Sequence, residues 1–231
     1  MKTTIQNKVA AFDQVLGFCN AIGSRYQPTK LSINPPALNK TLDRAKLSVD
    51  AVQKCWKANA DAIGKRSHEY RKLTPLATRV VNTLRLSGAP PHIMEEARSL
   101  KHKFYYRKSK NALKHPVETV ESAKGNPAVQ LNYLSVAELF SKLVDVAKLH
   151  PGYATNEIDL SIEGLEKHVA MLNRLSDQVR ISATNLSIAR NKRNKLLKEI
   201  TTTASDVKVY VRTTFGHKSD EYLFLTKIKF N

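Results

Sequence analysis

Residues 36–63 read PALNKTLDRAKLSVDAVQKCWKANADAI, and this stretch decides the fold. Its apolar residues recur at helical steps, at Leu38, Leu42, Ala45, Val49, Val52, Trp56 and Ile63. Steps of four and three place side chains on one face of an α-helix, and they are typical of left-handed helix bundles. We therefore predict a long helix over residues 36–68 whose apolar face, including Trp56, is buried. The chain has only 8 glycines and 9 prolines, which also favours helices over sheets.

The same pattern occurs a second time when the chain is shifted by 127 residues. Leu38 then aligns with Leu165, and Tyr26 aligns with Tyr153. The preceding stripe, which runs from Val9 to Ile22, aligns with residues 136–149. We therefore predict an all-α protein made of two tandem copies of an antiparallel three-helix unit. Each copy has a short C-terminal tail, and together the copies form a helical bundle.

The predicted repeats cover residues 1–104 and 131–231, and residues 105–130 form a basic linker between them. In the first repeat the helices are expected near residues 4–24, 36–68 and 70–87. In the second repeat they are expected near residues 132–150, 159–197 and 200–214. Prolines and glycines mark several of the ends, because proline suits a first helical turn and glycine suits a helix stop.

The chain is strongly basic, with 38 Lys and Arg against 20 Asp and Glu and a net charge of +18. A field of this sign attracts nucleic acid, acidic proteins or anionic membrane surfaces. The longest apolar runs are far shorter than the roughly 20 residues of a membrane span, so no span is predicted. The N-terminal residues lack the apolar segment of a secretory signal, and we expect a cytoplasmic protein. Two cysteines are too few for a disulfide framework.

No residue pattern points to catalysis. The segment Gly64-Lys65-Arg66-Ser67 lacks the strand and the glycines of a phosphate-binding loop. His92 and Glu96 have the spacing of a helical metal pair, but no second Glu-x-x-His pair completes a site. We therefore expect no catalytic residues, no metal and no cofactor, and we do not predict an enzyme.

Three clusters of cations are candidate polyanion-binding sites. Two of them occupy equivalent positions near the end of the long helices and comprise Lys65 and Arg66, and Lys192, Arg193 and Lys195. The third mixes cations with aromatic residues and comprises Lys101, Lys103, Tyr105, Tyr106, Arg107 and Lys108. Nucleic-acid sites use cations on phosphates and aromatic faces on unpaired bases. For the two paired sites the alternative is that cations near a helix C-terminus complement the helix dipole, or are ordinary residues of an exposed face. For the third cluster the alternative is that Phe104 docks on the bundle as Phe230 does and that the lysines only solvate the linker.

The C-terminal segment resembles a group of uncharacterised duplicated helical proteins that are common among the Bacteroidetes. The resemblance is carried by Val209-Tyr210-Val211-Arg212, Phe215-Gly216, Ser219-Asp220-Glu221-Tyr222 and Ile228-Lys229-Phe230, with Arg190-Asn191-Lys192-Arg193-Asn194 upstream. It covers mainly residues 186–230, and in the first copy Ser87-Gly88 stands where Phe-Gly is expected. The resemblance implies a helical bundle and a bacterial setting, and it implies no chemistry.

Two functional hypotheses follow from these observations. The first is a non-enzymatic basic binding protein whose partner is nucleic acid or another polyanion, such as an acidic protein. The second is a structural or protein-interaction module with no role in nucleic-acid binding, in which the charge serves solubility or an acidic partner.

Overall fold

A computed structural model describes the backbone of residues 4–112 and 127–230 and the side chains of residues 5–104 and 133–230. Within these residues the chain is helical and has no β-strand. The helices are α1 (Thr4–Ile22), α2 (Pro35–Leu86), α3 (Pro91–Ala112), α4 (Pro127–Lys148), α5 (Ile162–Phe215) and α6 (Asp220–Lys227). A short 3-10 turn precedes each long helix, at Leu31–Ile33 and at Ile158–Leu160. The predicted all-α fold class is confirmed.

The boundary predicted between the second and third helices of each repeat is wrong, and the predicted C-terminal tails are themselves helical, as α3 and α6. The second and third predicted helices of each repeat form one continuous helix, α2 with 52 residues and α5 with 54 residues. The inward face of α2 continues through Asn59 and Arg66, which are buried although they are polar. An apolar pattern does not include buried polar residues. The apolar stripe read from the sequence therefore ends at Ile63, although the inward face of α2 continues beyond it. Pro75 lies inside α2 without ending it.

The chain divides into two compact units, which we call the terminal unit (residues 1–57 and 185–231) and the central unit (residues 58–184). The predicted repeats divide the chain differently, since each unit takes a segment from both repeats. The predicted linker, residues 105–130, is helical at both ends where its backbone is described, because α3 extends to Ala112 and α4 begins at Pro127.

The core of the terminal unit joins α1, the first part of α2, the second part of α5 and α6. Its buried side chains include Phe12, Val15, Cys19, Leu38, Leu42, Ile200, Val207, Val211 and Leu225. Full burial of one such aliphatic or aromatic side chain stabilises the fold by about 1.5–3 kcal/mol relative to leaving it exposed. Burial also raises the pKa of the Cys19 thiol to about 11, so this thiol stays protonated at neutral pH.

The core of the central unit is built from the second part of α2, α3, α4 and the first part of α5. Its buried side chains include Leu73, Val80, Leu84, Ala97, Phe104, Phe140, Leu143, Leu165 and Leu172. Phe104 and Phe140 meet edge to face with ring centroids 6.5 Å apart, an arrangement that aromatic pairs favour. Two contacts show that α2 and α5 run antiparallel in this unit, Asn59 with Ser182 at 3.0 Å and Tyr70 with Ser176 at 3.2 Å.

Positions separated by 127 residues share local structure at the start of the two long helices. The Tyr26 hydroxyl donates to the Ile33 carbonyl at 2.8 Å, and the Tyr153 hydroxyl donates to the Leu160 carbonyl at 2.9 Å. Leu38 and Leu165 are both fully buried. In the first helix of each repeat, the aligned pairs Leu16 with Leu143 and Cys19 with Val146 are buried in both copies at a shift of 127. A shift of 128 instead pairs buried Phe12 with buried Phe140, so burial does not select one register.

Candidate nucleic-acid interface

Positive charge is concentrated in the terminal unit. This unit contains 19 Lys and Arg against 7 Asp and Glu, which is a net charge of +12. The central unit contains 19 against 13, which is a net charge of +6. The terminal unit therefore carries twice the excess charge of the central unit in a smaller number of residues, and any electrostatic attraction of a polyanion is strongest there.

Within the terminal unit the cations are densest on the segment of α5 that reads NLSIARNKRNKLLK, residues 185–198. The segment has no glycine, proline or carboxylate, so nothing in it breaks the helix or neutralises its charge. Buried Leu186 and Leu196 fix which side of the helix faces the core. The cations are thereby directed to the remaining faces, and they are Arg190, Lys192, Arg193, Lys195 and Lys198.

Lys192, Lys195 and Lys198 form an exposed row that we call the lysine row. Steps of three residues place the three side chains within an arc of roughly 120° and over about 9 Å of helix length. None of the three forms an ion pair with a side chain in the described part of the protein. Among the described residues the row therefore presents three ammonium groups without a carboxylate in ion-pair distance.

Two arginines beside the lysine row are partly buried. Partial burial and the nearby positive charge of Arg190 both lower the pKa of the Arg193 guanidinium from its usual range. Arg193 donates to the side-chain oxygen of Asn194 at 3.0 and 3.3 Å, which is a neutral acceptor and not a counter-charge. Repulsion between like charges is thus present in the folded protein, and an anion bound here would relieve it.

The equivalent site at Lys65 and Arg66 differs from the prediction. Lys65 is exposed, but its ammonium lies 3.0 Å from the carboxylate of Asp61 one turn earlier on α2. At the position corresponding to Asp61 the second copy has Ile188, so Lys192 lacks this partner. The exposure expected for Arg66 is wrong, because Arg66 is buried and its guanidinium lies 3.9 Å from the centre of the Tyr133 ring. This cation–π contact ties Arg66 to α4 and keeps it away from a surface ligand.

The third predicted cluster is only partly within the described residues. Lys103 is exposed and Lys101 is partly buried. Between them and the aromatic pair stands Phe104, which is buried in the core of the central unit, so the alternative that Phe104 docks on the bundle is confirmed. The side chains of the other four members lie outside the described residues, and these are Tyr105, Tyr106, Arg107 and Lys108.

An aromatic surface that sequence reasoning missed lies on α6. Phe224 is 51% exposed, and its ring stacks on that of Phe18 with centroids 5.5 Å apart and planes 12° apart. Its neighbour Leu223 is 46% exposed. The helical period gives a signal for this, because Leu225 and Ile228 are the inward positions of the segment and residues 223 and 224 fall between them.

Among the residues that the structure describes, no group of His, Cys, Asp and Glu side chains is arranged to hold a metal ion. In the same residues no helix is both long enough and apolar enough to cross a membrane. Comparison of the chain with protein-family models, with curated proteins and with solved structures finds no match in any of the three.

Proposed function

We propose that this protein is a non-enzymatic, basic helical protein that binds nucleic acid through the terminal unit. The observation that carries the proposal is the lysine row, which is exposed, regularly spaced and without carboxylate partners in the described residues. It lies in the unit with a net charge of +12. Consistent with the resemblance of the C-terminal segment to bacterial helical proteins, we propose a bacterial cytoplasmic setting.

The chemistry of the lysine row favours phosphate contacts without base recognition. An ammonium group is a point charge on a flexible stem, and it lacks the planar two-pronged geometry that reads base edges. Contacts to phosphates set position and affinity but carry no sequence information. We therefore expect binding with little sequence preference and with a steep dependence on salt.

Titration of labelled oligonucleotides at several salt concentrations tests the proposal. Each lost phosphate contact lowers the slope of log affinity against log salt by about 0.9 on duplex DNA and about 0.7 on single strands. Replacing Lys192, Lys195 and Lys198 together by Ala is therefore expected to lower the slope by about 2–3. The stability of the fold is expected to change little, since exposed substitutions usually cost within about 0.5 kcal/mol each.

The matched control removes three cations from the central unit, Arg85, Arg98 and Lys142. All three are exposed and form no ion pair within the described residues, so their surroundings match those of the lysine row. Both triple variants remove three positive charges. The control is expected to change the slope less than the lysine-row variant does. Wild-type protein that shifts no oligonucleotide at low salt would refute nucleic-acid binding and favour the structural or protein-interaction module. Equal effects of both triple variants would refute the lysine row as the site.

A further inference from the structure

The exposed ring of Phe224 stands on an anchored helix and has a stacked neighbour. Its helix, α6, is capped by Ser219, whose hydroxyl accepts a hydrogen bond from the Tyr222 backbone amide at 3.2 Å. Leu225 and Ile228 anchor the same segment in the core of the terminal unit. Phe18 supports the ring from one side, and Phe18 itself packs against that core. Because its position is fixed in advance, a ligand that contacts Phe224 loses little entropy in ordering it.

The stacking of Phe224 on Phe18 leaves only one face of the Phe224 ring for a further partner. A face fixed parallel to a supporting ring suits another planar group, which continues the stack at the usual ring separation. An acyl chain or an aliphatic side chain also buries apolar surface on such a ring, but it lacks the additional stabilisation that stacked ring pairs have. The geometry thus favours a flat aromatic ligand over a lipid surface.

Cations flank the aromatic pair. The Arg25 guanidinium lies 2.8 Å from the carboxylate of Glu221 and 5.0 Å from the centre of the Phe215 ring, so it neutralises the acid one turn before Phe224. Lys227 follows Phe224 by three residues, is exposed, and therefore lies on the same side of α6. The exposed carboxylate of Asp220 is the opposing charge on this helix. Lys227 is thus an exposed cation on the same side of the helix as the exposed ring, and single-stranded nucleic acid uses this combination, with a phosphate on the cation and a base on the ring.

We propose that Phe224 is a stacking platform for an unpaired base and that the terminal unit binds single-stranded nucleic acid in preference to duplex. The inference rests on the proposed nucleic-acid binding and adds the strand state of the ligand. Bases in a duplex are stacked on each other and offer no free face, so duplex binding uses the cations and not the ring. The contribution of Phe224 is therefore specific to single strands.

The experiment compares binding of oligothymidylate and of a duplex of the same length to wild type, Phe224→Ala, Phe224→Trp and Leu223→Ala. Stacking contributes about 1–3 kcal/mol per base, so Phe224→Ala is expected to weaken oligothymidylate binding about 5- to 150-fold and to leave duplex binding unchanged. Leu223→Ala removes a neighbouring exposed apolar side chain and is expected to change neither. Phe224→Trp retains a stacking ring, and the fluorescence it adds to that of Trp56 is expected to be quenched by the single strand alone. Urea midpoints of all four proteins verify that they are folded.

Several outcomes would overturn the inference while leaving nucleic-acid binding intact. Equal losses of affinity for single strand and duplex after Phe224→Ala would show that the ring maintains the fold or the position of nearby cations, and that it does not stack on a base. Equal losses for Phe224→Ala and Leu223→Ala would show a general apolar contact. Phe224-dependent binding to vesicles of anionic phospholipid, without an effect on strands, would assign the patch to a membrane surface. If wild-type protein binds neither oligothymidylate nor the duplex, both the proposed function and this inference are refuted.

Discussion

The ammonium of Lys30 lies 2.6 Å from the carboxylate of Asp206. The corresponding positions of the other repeat hold Glu157 and Arg79, which is a pair with the charges reversed. A shift of 127 residues converts Lys30 into Glu157, and the same shift converts Arg79 into Asp206. Arg79 and Glu157 also form an ion pair. In each compact unit an ion pair therefore links the turn before one long helix to the later part of the other long helix. This reciprocity is what the predicted duplication requires, and the duplication itself stays a prediction.

The first prediction concerns this pair. Asp206→Lys is expected to lower the free energy of unfolding by about 0.2–1 kcal/mol for the lost pair, with a similar cost for the lysine it sets against Lys30. Adding Lys30→Glu restores opposite charges and is expected to recover most of the loss. Urea unfolding measures all three proteins, and about 1 M salt is expected to reduce the differences by screening. A double variant no more stable than Asp206→Lys would contradict the interaction.

The second prediction concerns the equivalent leucines of the two cores. Leu38→Ala and Leu165→Ala each remove a fully buried side chain and leave a cavity, so each is expected to cost about 2–5 kcal/mol. Leu47→Ala is the control, because Leu47 is 68% exposed and its loss is expected to cost within about 0.5 kcal/mol. Thermal or urea unfolding measures the three. A cost for Leu165→Ala as small as that of Leu47→Ala would show that the two leucines occupy unlike environments.

The third prediction separates the two neighbouring cations of the first predicted site. Arg66→Ala removes a buried guanidinium from the face of Tyr133 and is expected to destabilise the fold by about 2 kcal/mol or more. Lys65→Ala breaks only an exposed pair with Asp61 and is expected to cost about 0.3–0.5 kcal/mol. Urea unfolding measures both variants, and similar small costs for both would show that Arg66 does not pack as described.

The fourth prediction concerns stability at alkaline pH. Burial raises the pKa of the Tyr153 phenol from 10.0 to about 12, against weaker opposing effects of the nearby Thr83 hydroxyl and of the charge of Arg79. The folded state thus holds this proton more tightly than the unfolded state, so the contribution is complete below pH 10 and is lost as the pH rises towards 12. The urea midpoint is expected to fall less steeply across this range in Tyr153→Phe than in wild type. Parallel curves would refute the assignment.

The fold was predictable from the sequence where apolar residues alone line a helix. The start of α2 was predicted at residue 36 and is Pro35, because proline both marks and favours the first turn. The break after residue 68 was wrong, since α2 runs without interruption to Leu86. The inward positions of Asn59 and Arg66 were not predicted, because polar side chains are buried only where tertiary partners accommodate them. Ser182 donates to Asn59, and Tyr133 covers Arg66. Trp56, predicted to be buried with the stripe, is partly buried and belongs to neither core cluster.

The candidate site was predictable only in part, and for a similar reason. The run from Arg190 to Lys198 stands out because it has no acidic residue, and this is visible in the sequence. The difference between Lys65 and Lys192 is also visible there, as Asp61 against Ile188 four residues earlier. The outward position of Phe224 was predictable from the helical period, because Leu225 and Ile228 mark the inward side of the segment. Its stacking on Phe18 was not predictable, because the two residues are more than 200 positions apart along the chain.

The division into two units has a consequence for the order in which the protein is made. The central unit is one continuous stretch, residues 58–184, so it is complete as soon as those residues leave the ribosome. The terminal unit has to wait, because 127 residues separate its two segments, or about 6–25 s at roughly 5–20 residues per second. During this interval Phe12 and Val15 of the nascent chain lack the α5 residues that later cover them. We therefore expect residues 1–57 to be accessible to chaperones and proteases until residues 185–231 have been synthesised.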